Sequence, residues 1–331
     1  MVDYQHESGE QLLKPFIYIT RKLPETLIQP LQDRYEVEMW DQDDVQVPRE
    51  VLLEKAGKAS ALLTMLSDRI DGELLDQGEH LKVVANLAVG FDNIDVAYAK
   101  EKGVAVCNTP DVLTETTADL AFGLMMATAR RIVEGDRYIR EGEWKSWSPL
   151  LLAGADIHHK TLGIVGMGSI GEAVARRAKG FSMDVLYHNR NRRPEAEEAL
   201  GASFTSLNEL LKESDFVVVL APLTEETKGL FQREQFAMMK DSAIFINAAR
   251  GPIVDEDALV EAIREGMIAG AGLDVFTKEP ISMDHPLLSL DRVVVLPHIG
   301  SSSVDTRYDM VRLCTDNIQA VLEGKEPRTA L

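Results

Sequence analysis

Arg250, Glu279 and His298 are the side chains of this sequence whose types fit one chemistry, the interconversion of a small 2-keto acid and its 2-hydroxy acid. That reaction needs a cation for the carboxylate, a proton donor for the carbonyl oxygen and a hydride carrier. A guanidinium binds a carboxylate through two parallel N–H bonds and polarises the adjacent carbonyl. An imidazole exchanges a proton near neutral pH. A carboxylate on the other ring nitrogen fixes the tautomer and stabilises the imidazolium. Singly, each residue has an ordinary alternative: a surface ion pair for Arg250, a solvated carboxylate for Glu279, a structural imidazole for His298. Their placement unites them. Each follows an expected apolar strand, at residues 243–247, 268–273 and 293–296. Ligands of open α/β sheets bind beyond the carboxyl ends of the strands, so the three loops are expected to meet at one crevice.

The hydride carrier is announced upstream. Residues 162–165 form an apolar strand running into Gly166-Met-Gly168-Ser169-Ile170-Gly171, followed by a helix over 172–179 and a second strand over 183–187. This is the G-x-G-x-x-G dinucleotide fingerprint in its strand–turn–helix–strand setting. Gly166 permits the tight turn, Gly168 lets N–H groups approach a pyrophosphate at the helix N-terminus, and Gly171 lets helix and strand pack closely. A glycine-rich turn in an ordinary α/β unit is the alternative. An NAD site usually carries Asp or Glu roughly 20 residues further on. Here Asn189 and Arg190 stand in that place, with Arg192 and Arg193 behind them and no carboxylate before Glu195. A guanidinium fork binds a 2′-phosphate that a carboxylate would repel, so NADP(H) is expected to be preferred, with NAD(H) still usable. The competing reading is a solvated basic turn.

These loops require a scaffold. Short apolar strands alternate with helical stretches along almost the whole chain, the pattern of parallel α/β architecture. The first half carries strands at 16–20, 37–39, 61–65, 82–87 and 104–107, and the second half those already given with 185–187 and 216–220. Ser206-x-x-Glu209 is a capping box. Long helices are expected over 115–132 and 303–322. An α/β unit therefore precedes the nucleotide-binding unit, and the last helix is expected to rejoin it. The expected division is a mobile extension over 1–14, a discontinuous substrate domain over 15–108 and 301–331, and a dinucleotide-binding domain over 109–300. A cleft between such domains suits a substrate beside a nicotinamide.

Composition narrows the partners. The 331 residues carry a formal charge of −19, which argues against nucleic acid. Cys107 and Cys314 are the two cysteines, expected as buried thiols in a reducing compartment. No signal peptide is visible, and no apolar run reaches the roughly 18 residues that span a bilayer. A cytoplasmic protein is expected, with no metal.

Gly166–Gly171, Asn247-Ala-Ala-Arg250-Gly, Gly272-Leu-Asp274-Val-Phe with Glu279-Pro, and Pro297-His298-Ile-Gly300-Ser301 together resemble the motif set of the D-isomer-specific 2-hydroxyacid dehydrogenases. Leu87-Ala-Val-Gly90-Phe-Asp-Asn-Ile-Asp95 and Thr109-Pro-Asp-Val-Leu-Thr-Glu-Thr-Thr117-Ala-Asp match as well, so the resemblance covers nearly everything after about residue 15. It implies two Rossmann-like or flavodoxin-like domains with parallel sheets, the nucleotide domain inserted into the substrate domain, and an Arg–Glu–His catalytic set. Within the family, Leu66-Ser-Asp-Arg-Ile-Asp71, Trp144-x-x-Trp147-x-Pro149-Leu and Asn189-Arg190 bring the chain nearest to glyoxylate/hydroxypyruvate reductases. That resemblance implies reduction of glyoxylate to glycolate and of hydroxypyruvate to D-glycerate. It implies N–H groups of Ala88, Val89 and Gly90 on the substrate carboxylate, with Ser301 near the substrate. Pro222, Thr227, Ala248, Asp274, Gly300 and Thr117 are implied along the cofactor. It also implies a homodimer in which Trp147 enters the partner's site, simple dimer or core packing being the alternative for Trp147. A larger 2-keto acid such as 2-ketogluconate remains open as substrate. A dinucleotide-sensing binding protein, like the corepressors built on this fold, is disfavoured by the complete catalytic set.

Overall fold

The computed structural model describes residues 14–331, so the expected N-terminal extension lies outside the described residues except for Lys14. The backbone forms two compact units. One comprises the described residues through Val112 together with Arg307–Leu331, and the other is Leu113–Thr306.

The first unit is built from β1 (Phe16–Ile19), α1 (Glu25–Gln32), β2 (Glu36–Met39), α2 (Arg49–Ala56), β3 (Ala61–Thr64), α3 (Gly72–Gln77), β4 (Val83–Asn86), α4 (Val96–Glu101) and β5 (Ala105–Cys107). Its strands form one parallel sheet in the order β2-β1-β3-β4-β5, the flavodoxin-like arrangement. β3 and β4 are buried at every position, as expected of strands covered on both faces. The chain's last residues return along β5. Ala330 bridges Cys107 in antiparallel fashion, and the Leu331 N–H donates to Val106 O. Cys107 and Cys314 are free and buried.

The second unit runs α5 (Thr114–Ala129), α6 (Ile132–Arg140), β6 (Thr161–Val165), α7 (Ser169–Gly180), β7 (Asp184–His188), α8 (Pro194–Leu200), β8 (Ser203–Phe204), α9 (Leu207–Glu213), β9 (Phe216–Val219), α10 (Arg233–Met238), β10 (Ile244–Asn247), α11 (Glu256–Arg264), β11 (Gly270–Leu273) and β12 (Val293–Val295). The long terminal helix α12 (Val304–Leu322) begins here and continues into the first unit. Seven strands pair in parallel in the order β12-β11-β10-β9-β6-β7-β8. This is the doubly wound Rossmann order with one strand added. β9 shows why: Phe216 and Val218 enter the core under α5 and α7, while Val217 and Val219 enter the core on the opposite face. A strand buried on both faces must read as an unbroken apolar run.

Two expectations meet different outcomes. The capping box forms as expected, with Ser206 Oγ accepting from Glu209 N–H and the Glu209 carboxylate accepting from Ser206 N–H. The single helix expected over 115–132 is instead two. α5 ends at Ala129, whose carbonyl accepts a hydrogen bond from Ala155 N–H at 2.9 Å. Arg131 turns left-handed at φ 52° and clamps Glu134 through two hydrogen bonds of 2.7 and 2.6 Å, opening α6. Among the described residues, no helix is long and apolar enough to cross a membrane.

Candidate active site

The loops after β10, β11 and β12 leave the same edge of the sheet, because all three strands are parallel. They bring Glu279 and His298 into contact: His298 Nδ1 lies 2.7 Å from Glu279 Oε2. A carboxylate oxygen accepts, so Nδ1 carries the hydrogen and Nε2 stands outside that pair. The second carboxylate oxygen, Oε1, accepts the Phe276 N–H at 2.9 Å. Glu279 is thus fixed at both oxygens. Burial pushes its carboxyl up, but the His298 hydrogen bond and charge, the Phe276 N–H and the Arg250 charge together hold it below the usual Glu value. His298 itself adopts a left-handed backbone, φ 54°, uncommon outside glycine and a recurrent mark of functional turns.

Arg250 sits at the mouth of β10, and two local devices place it. Asn247, 1% exposed, donates from Nδ2 to Arg250 O at 3.0 Å and accepts the Ala249 N–H at 3.1 Å. Gly251 then lies directly against the β11 loop: a Cβ there would stand 1.9 Å from the Phe276 carbonyl carbon. The turn carrying Arg250 and the turn carrying Glu279 therefore touch backbone to backbone. Arg250 Nη1 donates to Ala249 O at 2.9 Å.

Asp274 follows β11 and is 1% exposed. Its two oxygens accept the N–H groups of Ile299 and Gly300, each at 2.8 Å, so it shapes the turn just beyond His298. Burial pushes its carboxyl up, against the lowering influence of the Ile299 N–H, the His298 charge and the Gly300 N–H. Thr117 of α5 lies against this turn, its Cγ2 3.3 Å from where a Cβ on Gly300 would project. Ser301 continues the turn and accepts the Ser303 N–H through its carbonyl.

The dinucleotide fingerprint occupies the switch point between β6 and β9. Gly166 has φ 106°, and a Cβ there would meet Ala221 N at 2.4 Å. Nothing lies within 4 Å of a Cβ on Gly168. Gly168 caps α7 without a side-chain acceptor, and Ser169, Ile170 and Gly171 follow as the first helical residues, Gly171 so close to the loop that a Cβ there would meet Gly166 O at 2.4 Å. An uncapped N-terminus facing an open cradle fits a pyrophosphate. Asn189, at the end of β7, accepts the Met167 N–H at 2.6 Å and donates to Met167 O at 3.2 Å, clasping the glycine loop. Arg192 is bound bidentately to Glu197 at 2.7 and 2.6 Å, and Arg193 to Glu172 at 2.7 Å. Arg190 is not bound to either of these carboxylates; with hydrogen bonds from Thr224 and the Glu226 N–H, its charge helps hold the Glu226 carboxyl below the usual Glu value. Across the switch point, Thr227 Oγ1 donates to Pro222 O at 2.7 Å and the Ala248 N–H donates to Val219 O.

In the first unit, Ala88, Val89 and Gly90 form the loop after β4. The Ala88 N–H already donates to Asn86 O at 2.8 Å, which leaves Val89 and Gly90 as its candidate anion donors. Trp147 is 79% exposed, so it is not packed in the core. Asn247, Gly251 and Phe276 stand inside the motifs of the sequence, where they received no role of their own; the Asn-x-x-Arg-Gly spacing was the available signal for the first two.

Residues 122–300 match the sequence pattern of the D-isomer specific 2-hydroxyacid dehydrogenase, NAD binding domain. The glyoxylate reductase of Thermococcus onnurineus is 53% identical over 321 residues, 96% of either chain. Among solved structures, the TT0316 protein from Thermus thermophilus superposes with a TM-score of 0.90 at 46% identity, covering 96% of this chain and 99% of that one. An NADPH-dependent glyoxylate/hydroxypyruvate reductase from Sinorhizobium meliloti, solved with NADP and malonate, gives 0.83 at 33% identity, covering 96% and 97%. The chain belongs to the D-isomer-specific 2-hydroxyacid dehydrogenase family. Its second unit is accordingly the nicotinamide dinucleotide-binding domain of an oxidoreductase.

Proposed function

We propose that this chain reduces small 2-keto acids, glyoxylate to glycolate and hydroxypyruvate to D-glycerate, with NADPH preferred over NADH. The observation that carries the reading is the Glu279–His298 pair, 2.7 Å apart in the loops that leave β11 and β12. A bound reduced nicotinamide supplies the hydride for the keto carbon. Arg250 binds the substrate carboxylate and polarises the carbonyl, and His298 Nε2 gives its proton to the carbonyl oxygen. Glu279 holds the imidazole in that tautomer and stabilises its charge. Val89 and Gly90 give N–H groups to the carboxylate, as part of a loop that includes Ala88, and Ser301 lies beside the substrate. Gly166, Gly168, Ser169, Ile170 and Gly171 hold the pyrophosphate. Pro222, Thr227, Ala248, Asp274, Gly300 and Thr117 line the cofactor toward the nicotinamide.

The NADPH preference rests on the strand end at Asn189-Arg190, where the sequence carries no carboxylate before Glu195 to repel a 2′-phosphate. With Arg192 and Arg193 engaged by Glu197 and Glu172, Arg190 is the guanidinium assigned to it. The Sinorhizobium relative, described as NADPH-dependent, supports the same preference. A homodimer is proposed too, on the strength of Trp147 and Leu150, 79% and 80% exposed beside α6.

The deciding experiment is a panel of glyoxylate, hydroxypyruvate, pyruvate and 2-ketogluconate with each cofactor. The highest kcat/KM is expected for glyoxylate or hydroxypyruvate with NADPH. A higher value for 2-ketogluconate would refute the substrate assignment, and faster oxidation of NADH would refute the cofactor preference.

A further inference from the structure

The loop Ala88–Gly90 carries no polar side chain, yet each of its carbonyls is tied down. Ala88 O accepts the Thr109 N–H at 2.9 Å, Val89 O accepts Asn108 Nδ2 at 2.8 Å, and Gly90 O accepts Asn86 Nδ2 at 3.0 Å. In a trans peptide the C=O and the following N–H point in opposite directions. Fixing Ala88 O inward therefore turns the Val89 N–H outward, and fixing Val89 O turns the Gly90 N–H outward. Among the described residues neither N–H has an acceptor within this unit. The result is two neighbouring amide donors on one loop with no internal acceptor among the described residues, a group that can bind an anion.

Asn108 aims the second donor, and it is held in turn by the tail. Thr329 Oγ1 donates to Asn108 O at 2.7 Å and accepts Asn317 Nδ2 at 2.7 Å. Asn317, on α12, is fully buried, and its Oδ1 accepts the Arg328 N–H at 2.8 Å. Hydrogen bonds thus run from Asn317 through Thr329 to the Asn108 backbone carbonyl, and the Asn108 side chain carries the connection on to Val89 O, whose peptide sets the Gly90 N–H. Asn86, also fully buried, is held by Thr64 and Asn93 as it grips Gly90 O.

We infer that Asn108 and the tail residue Thr329 are positioning residues for substrate binding: together they orient the Gly90 N–H that receives the carboxylate of the 2-keto acid. The inference rests on the proposed reductase reading. It sets the tail, about 240 residues from Gly90 in sequence, in control of affinity for the acid and not of cofactor binding or hydride transfer.

The test compares Thr329→Val, which keeps the shape and removes the hydroxyl, with Thr329→Ser, which restores the hydroxyl, and with Asn108→Ala. KM for glyoxylate is expected to rise about ten-fold in Thr329→Val, the effect of one misaligned hydrogen bond to a charged group, and at least as much in Asn108→Ala. Thr329→Ser should stay within about two-fold of wild type. Saturated kcat and the NADPH dissociation constant should hold in all three. An unchanged KM in Thr329→Val overturns the inference. So does a parallel fall of kcat and NADPH affinity, or an equal KM rise in Val and Ser, because each marks general loosening. Should Asn108→Ala fail to fold, the Val/Ser pair alone decides. Wild-type protein that turns over no 2-keto acid overturns the reductase reading itself, and the inference with it.

Discussion

Gly251 and Phe276 touch backbone to backbone, and that contact joins the turn bearing Arg250 to the turn bearing Glu279. The smallest side chain added at Gly251 would overlap the Phe276 carbonyl carbon at 1.9 Å. Gly251→Ala is therefore expected to part the two turns. A displacement of about 1 Å in a reacting geometry costs on the order of a hundred-fold, so kcat/KM for glyoxylate should fall by that order with NADPH binding retained. Steady-state kinetics with cofactor titration checks this; a full-rate variant would show that the contact does not set the site.

His298→Ala should lower kcat by about 10²–10⁴, the usual contribution of a positioned general acid, while the NADPH dissociation constant stays close to wild type. Residual turnover above a tenth of wild type would remove His298 from the proton-transfer step.

Arg190→Ala should weaken NADPH about 10- to 100-fold, the loss of charge-assisted hydrogen bonds to a phosphate, and leave the NADH KM nearly unchanged. Arg192→Ala should do much less, since that guanidinium is already committed to Glu197. Equal changes for both cofactors would exclude the phosphate role.

The Glu279 carboxyl is held below its ordinary value in the folded protein. A group with a depressed folded pKa stabilises above its unfolded value, about 4.3 for Glu, and that stability is lost as pH falls through the lowered value. The difference in urea midpoint between wild type and Glu279→Gln should accordingly be larger at pH 6 than at pH 3. A gap that is constant with pH would mean the ionised pair contributes nothing to folding.

Burial pushes the Cys107 thiol up to about 11 and Cys314 higher still, burial first and the neighbouring Cys107 second. Because the thiolate is the reactive form, neither should react with a thiol reagent at pH 8 until the protein is unfolded in urea. Rapid labelling of the native protein would contradict this.

The fold was legible because strands buried on both faces write themselves as apolar runs, as β9 does. The glycine spacing at 166–171 and the strand-end positions of Arg250, Glu279 and His298 were legible for a related reason: the parallel sheet delivers the loop that follows each strand to one edge. What stayed hidden depends on contacts between distant segments. Nothing in Ala129-Arg-Arg131 announces a helix break, because the break is made by Ala155 capturing the Ala129 carbonyl. Nor does the basic run at 190–193 reveal that Glu172 and Glu197 engage two of its members.

The returning tail has a second consequence, for solubility. β5 ends its sheet, and an uncovered terminal strand offers a row of unpaired N–H and C=O groups on which another chain can build. The antiparallel bridge of Ala330 to Cys107 and the Leu331 bond to Val106 occupy part of that row. Removing Ala330 and Leu331 would bare a template for intermolecular strand addition.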